Sequence, residues 1–149
     1  MQPVHSADEH RLQVQLWVDD LVPLTRLYPQ AQTDAELQKV GFIRCGKMGC
    51  SPDSLRDKDG MVEIKTALPH LLIDMHMRGE FPPEHRAQCQ GNLLVAQRAW
   101  IDIVVFWPKM PLFIARVHRD DVYIRAMEAT IREFNAELAY VVSTMRKIA

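Results

Sequence analysis

A chain of 149 residues suits one domain around a single core, because the buried fraction rises with size and chains of this length seldom divide. With 48% hydrophobic and 25% charged residues, the composition excludes disordered and fibrous classes, and no apolar run approaches the roughly 20 residues that cross a bilayer. A net charge of −1 and a pI near 6.6 exclude a general attraction for phosphate polymers, so any nucleic-acid site has to be a local patch.

The amino end, "MQPVHSADEHR", has neither the basic start nor the apolar centre of a signal peptide, and a cytoplasmic protein is expected. In "RLQVQLWVDD", Leu12, Val14, Leu16 and Val18 alternate with a strand's period of two. "DDLVPLTRLYPQ" then fits a short helix, with Asp19 or Asp20 at its cap and Pro23 in its first turn. "LQKVGFIRC", Leu37 to Cys45, reads as a strand, and "GMVEIKT" reads as its neighbour across the solvated turn "RDKDG". "PHLLIDMHMRG" fits a short helix or an ordered loop. "PPEHRAQCQGNLLVAQR" is a firmer helix, with Pro83 and Glu84 in its first turn and Ala87, Leu94 and Val95 as a buried stripe.

Two β-rich runs follow, "WIDIVVFWP" and "LFIARVH", separated by the turn-forming Pro108 and Pro111. Asp120 or Asp121 then caps a long helix in which Ile124, Met127, Ile131, Phe134, Leu138 and Val141 recur every three or four positions, a stripe expected to face the core. Strands, a helix, two strands and a helix indicate an α/β or α+β architecture: a central mixed β-sheet flanked by helices. Cys45, Cys50 and Cys89 cannot all pair and are read as reduced thiols filling the core. No histidine spacing suggests zinc.

The chemistry gathers between Gly49 and Thr66, "GCSPDSLRDKDGMVEIKT". In a strand, Met61, Glu63 and Lys65 share one face while Val62, Ile64 and Thr66 share the other. Asp53 precedes the turn, and antiparallel pairing brings its carboxylate back toward Glu63. Two carboxylates so placed call for a cation, and Mg²⁺, which takes one or two carboxylates and keeps several waters, meets the demand. Asp53, Glu63 and the carbonyl of Ile64 are the candidate metal ligands. Lys65 beside them suits a nucleophile-orienting or charge-offsetting role in phosphodiester hydrolysis.

Around this core, "VGFIRC", "GCSPDSL", "AQCQGNLLVAQRAWIDIVVFWP" and "RVHRDDVYI" occur in an order that resembles the PD-(D/E)xK nuclease superfamily, and within it the phage lambda exonuclease-like (YqaJ-type) recombinases. The resemblance covers residues 37–149 and leaves 1–36 as a divergent amino-terminal segment of the same domain. It implies a restriction-endonuclease-like core and a Mg²⁺-dependent double-strand DNA exonuclease, with Mn²⁺ able to substitute. By the same likeness Asp53, Glu63 and Lys65 are catalytic, Ser51 lies close to the scissile phosphate, Gln88 organises the active site, and Gln90 is the second glutamine of a Gln-x-Gln helix, placed with the substrate. The implied partners are duplex DNA, a single-strand annealing protein and further copies in a trimeric ring, in a bacterial or phage-infected cell.

Other residues are read more plainly. Asp102 is read as a structural aspartate, and Trp100, Phe106 and Trp107 as packing residues that also have the shape of base-stacking platforms. His85 stands where the family often has a tyrosine. Leu21 in "LVPLTRLY" stands where the family has a metal-binding glutamate, beside Asp20, and the family's longer amino-terminal region with its 5′-phosphate arginine has no match. Those departures open two alternatives: a catalytically impaired DNA-binding or assembly module, and a structure-specific endonuclease on the same fold.

Overall fold

The computed structural model describes residues 37–148. The strand and helix expected between Leu12 and Tyr28, and the acid missing at Leu21, lie outside the described residues. From Leu37 onward the strands are β1 (Leu37–Gln38), β2 (Ile43–Cys45), β3 (Met48–Cys50), β4 (Ser54–Arg56), β5 (Gly60–Thr66), β6 (Trp100–Phe106) and β7 (Phe113–His118). The helices are α1 (Pro69–Arg78), α2 (Arg86–Ala96) and α3 (Asp121–Ile148), with a 3₁₀ turn at Pro83–His85 leading into α2. The mixed sheet expected from sequence is present, in the order β1-β4-β5-β6-β7.

Only β5 and β6 run parallel, with α1 and α2 in the crossover between them. Parallel strands are covered on both faces and therefore read as near-continuous apolar runs, which accounts for "WIDIVVF". On one face Met61, Ile101, Ile103 and Val105 pack beneath Leu72 of α1 and Cys89 and Leu93 of α2. On the other, Val62, Ile64 and Val104 pack with Leu37, Phe106, Leu112 and Ile114. Ile103, at the centre of the sheet, is 0% exposed. Ile103→Ala is expected to cost about 2–5 kcal/mol, read as a lower urea midpoint at unchanged slope.

The stretch read as one strand from Leu37 to Cys45 is two. Leu37–Gln38 pairs with β4, while Ile43–Cys45 turns back on Met48–Cys50 as a separate hairpin. The neighbour of "GMVEIKT" is therefore β4, not "LQKVGFIRC". Gly41 interrupts the run, and Gly46, with φ at +60°, supplies the left-handed residue that a two-residue hairpin link requires. "RDKDG" is the predicted turn, and Arg98 holds it by donating to the carbonyls of Asp57 and Lys58.

Helix α1 stops at Gly79, whose φ of +66° closes its last turn. Helix α2 buries Cys89, Leu93, Leu94 and Val95, whereas Ala87 of the expected stripe is exposed. Asp120 caps α3, its Oδ1 accepting the amides of Val122 and Tyr123 at 3.0 Å each. Those amide bonds hold its carboxyl below the ordinary range, Tyr123's most of all.

The long apolar stripe of α3 does not cover the sheet. Ile124 alone of that helix is buried; α3 packs along α2, with Met127 beside Gly91, and leaves Phe134, Leu138, Val141 and Met145 exposed. No helix among the described residues is long and apolar enough to cross a membrane.

Candidate active site

Strand alternation does what the sequence leads one to expect. Glu63 and Lys65 leave β5 on the same side, and the Lys65 ammonium donates to Glu63 Oε1 at 2.7 Å. Pro52 is buried and ends the hairpin, so that Asp53 lies at the start of β4, where that strand runs out beside β5. Asp53 is fixed there by Ile64, whose amide donates to its Oδ2 at 2.7 Å. The N–H and C=O of one residue face the same edge of a strand, so the Ile64 carbonyl points toward the edge that Asp53 occupies.

Helix α2 closes the site from above. Gln88 donates its amide to Glu63 Oε1 at 2.7 Å, and Asn92, one turn further along, reaches Oε2 at 3.4 Å. Asn92 is a part of the site that sequence reasoning missed. Its signal was the helical step of four from Gln88 on a helix already recognised.

The electrostatics are those of carboxylates lacking enough positive charge. Burial raises the carboxyl of Asp53 above the usual range, against the Ile64 amide and the charge of Lys65. Burial also raises Glu63, opposed by Lys65 and Gln88 and aided by the negative charge of Asp53. Cys89 is pushed up to about 11 by burial and then by Glu63, so its thiol stays protonated at neutral pH. Cys50 is raised for the same reasons. Both are buried and free, and Cys45 is free and partly buried; two thiols held protonated are core fillers rather than thiolate ligands.

Other sequence-predicted residues stand apart. Ser51 is exposed two residues before Asp53, its hydroxyl donating to the carbonyl of Gly41. Gln90 does not enter the cluster: it is 1% exposed, donates to the His118 carbonyl at 2.9 Å and accepts the Asp120 amide at 2.9 Å. That side chain pins α2 to the junction of β7 and α3. Gln90→Leu would leave both backbone groups short of a partner, costing about 1–3 kcal/mol in chemical denaturation.

Asp102 lies on the opposite face, opposite Val62, where Arg116 grips it through two nitrogens at 2.7 and 2.8 Å and Arg56 donates at 3.1 Å. The same two guanidinium groups flank the Trp100 ring, 3.7 and 5.5 Å from its centroid. Trp100 also packs hard against Gly60, where any Cβ would meet the ring at 2.1 Å. Asp102 and Trp100 thus serve the fold, as Phe106 and Trp107 do in the two core clusters. His85 stacks at a tilt on Phe81, 6.2 Å between centroids.

A mixed sheet with Glu63 and Lys65 on its central strand, Asp53 just before β4 and Gln88 on the helix above is the arrangement that the resemblance to PD-(D/E)xK nucleases leads one to expect. The fold matches the crystal structure of an alkaline exonuclease, LHK-Exo from Laribacter hongkongensis, with a TM-score of 0.72 and 29% identity over 88% of this chain and 73% of that one. LHK-Exo in complex with dAMP matches to the same extent. The fold is therefore of the lambda exonuclease-like kind that the motifs indicate. No protein-family model and no curated protein matches the chain.

Proposed function

We propose that the chain is a Mg²⁺-dependent deoxyribonuclease of exonuclease type, hydrolysing phosphodiester bonds from the ends of double-stranded DNA in phage recombination. The observation that carries this reading is the convergence of Asp53, Glu63 and Lys65 beneath Gln88. The likeness to an alkaline exonuclease supports a nuclease. That LHK-Exo takes dAMP, a deoxynucleoside monophosphate, is in keeping with a product of exonucleolytic hydrolysis.

The residues fit a hard cation. Among the described residues no group of three or more His, Cys, Asp or Glu side chains could hold a metal, so an ion at Asp53 and Glu63 would draw its remaining donors from the main chain and water. Burial raises the carboxyls of both, and one lysine is the cation beside them. Two carboxylates and one carbonyl suit Mg²⁺ with its retained waters and do not make a tetrahedral zinc set. Such an ion, held by Asp53, Glu63 and the Ile64 carbonyl, would supply Lewis-acid activation and charge compensation at the phosphate.

The chain's own groups do the remainder. Lys65 places a positive charge beside the attacked phosphate and offsets charge building on its oxygens. Gln88 and Asn92 fix the plane of the Glu63 carboxylate, so that little reorganisation accompanies the reaction. Water attacks phosphorus, one P–O ester bond breaks, and the departing oxygen takes a proton. Ser51, exposed at the entrance, is the substrate-side hydroxyl. A single-strand annealing protein and further copies of the chain, in a trimer, are the partners proposed with this function.

Supercoiled and linearised plasmid, each incubated with Mg²⁺, test the proposal. Degradation of the linear form alone, with Mn²⁺ substituting and EDTA stopping it, is expected. Cutting of closed circles would instead make the chain an endonuclease, and intact DNA throughout would leave a nuclease fold without cleavage.

A further inference from the structure

The β2–β3 hairpin shows an alternation that the catalytic cluster does not use. Ile43, Cys45, Met48 and Cys50 are turned inward over α2, whereas Phe42, Arg44, Gly49 and Ser51 share the outward, exposed face. Phe42 is 69% exposed. A lone exposed apolar side chain is ordinary on a protein surface. This one is seated: the far edge of its ring lies over Gly49, where any Cβ would meet ring carbons at 2.0 to 2.9 Å. Only glycine at 49 permits the ring to rest there.

The seat is tied to the site. Extending the hairpin register by one residue sets Phe42 opposite Ser51, and the Ser51 hydroxyl donates to the carbonyl of Gly41, the residue before the ring. Two residues beyond Ser51 is Asp53. An aromatic ring, the guanidinium of Arg44 and a hydroxyl thus share one solvent-facing surface of the hairpin, whose chain runs on directly into Asp53. Arg44 is held along the hairpin by its own bond to the Gly46 carbonyl at 3.0 Å. Rings that receive a nucleobase need an exposed π-face and a fixed position, with a cation nearby for the phosphate.

We propose that Phe42, seated on Gly49, is the platform on which a nucleobase at the DNA end stacks, with Arg44 meeting the backbone beside it. The inference rests on the nuclease reading above and assigns its substrate contact. Stacking on the ring sets the strand end in register with Ser51 and Asp53. Because every base has a π-face, the contact carries no sequence preference.

The test uses the full chain in Ca²⁺ with blunt duplexes carrying 2-aminopurine either at the terminal position or well inside. Wild type is expected to change the fluorescence of the terminal probe and leave the internal one alone. Phe42→Leu keeps an apolar contact on Gly49 but loses the ring; it should abolish the terminal change and weaken end binding roughly tenfold, with Phe42→Trp restoring both. A Phe42→Leu protein that binds and perturbs the terminal probe as wild type does overturns the proposal. Wild type that binds no duplex at all overturns the nuclease reading and this inference with it.

Discussion

Asp53→Asn loses cleavage of linear duplex by at least about a hundredfold, the scale on which removing one preorganised electrostatic group is felt, and gains stability in EDTA. The two effects have one cause. The amide keeps an oxygen to accept the Ile64 N–H but carries no charge to be desolvated. Burial raises the folded-state pKa of Asp53 above its ordinary 3.8. A carboxyl raised on folding contributes stability that is complete below the unfolded value and lost as pH rises through the folded one. The metal-free wild type is therefore expected to gain in melting temperature as pH falls from neutral toward 4, and Asp53→Asn to show less of that gain. Thermal melts in EDTA across that range check the sign, and a higher melting temperature for wild type than for the variant at neutral pH contradicts it.

Lys65→Ala is the second large effect. Lys65 makes the 2.7 Å bond to Glu63 and is the strongest opposition to the burial that raises that carboxyl. Without it cleavage is expected to fall about 10²–10³-fold, while binding to duplex in a fluorescence anisotropy titration changes little. Glu63 then rises further. By the same linkage the variant is destabilised more at pH 8 than at pH 5, which separates loss of this ammonium from loss of an exposed lysine. Equal destabilisation at both pH values would place Lys65 outside the carboxylate cluster.

The legible part of the site was the part governed by local period. Glu63 and Lys65 fall on one face of a strand because side chains alternate, whereas Gln88 was placed beside them by the family resemblance and not by any local period. What escaped was set by distant partners. Asn92 is unremarkable until α2 is laid across β5. Gln90 shares a motif with Gln88 but lies about 200° further around the helix, and so faces the β7–α3 junction instead of the carboxylates.

The same holds for the fold. The sheet, its main helices and the turn at "RDKDG" follow from periodicity and turn residues, whereas the division of Leu37–Cys45 into an edge strand and a separate hairpin depends on what each half pairs with. The apolar stripe of α3 gave its helix correctly and its burial wrongly. Periodicity identifies a face, but only packing determines what covers it.

Asp53, Glu63 and Lys65 are proposed as a metal-dependent hydrolytic site acting at DNA ends. Linear duplex labelled at each 5′ end, incubated with Mg²⁺ beside an Asp53→Ala control, tests it most directly. Progressive loss of the duplex from its ends with wild type, none with the variant and none in EDTA is the predicted result. Wild type and variant acting alike on the labelled duplex would contradict it.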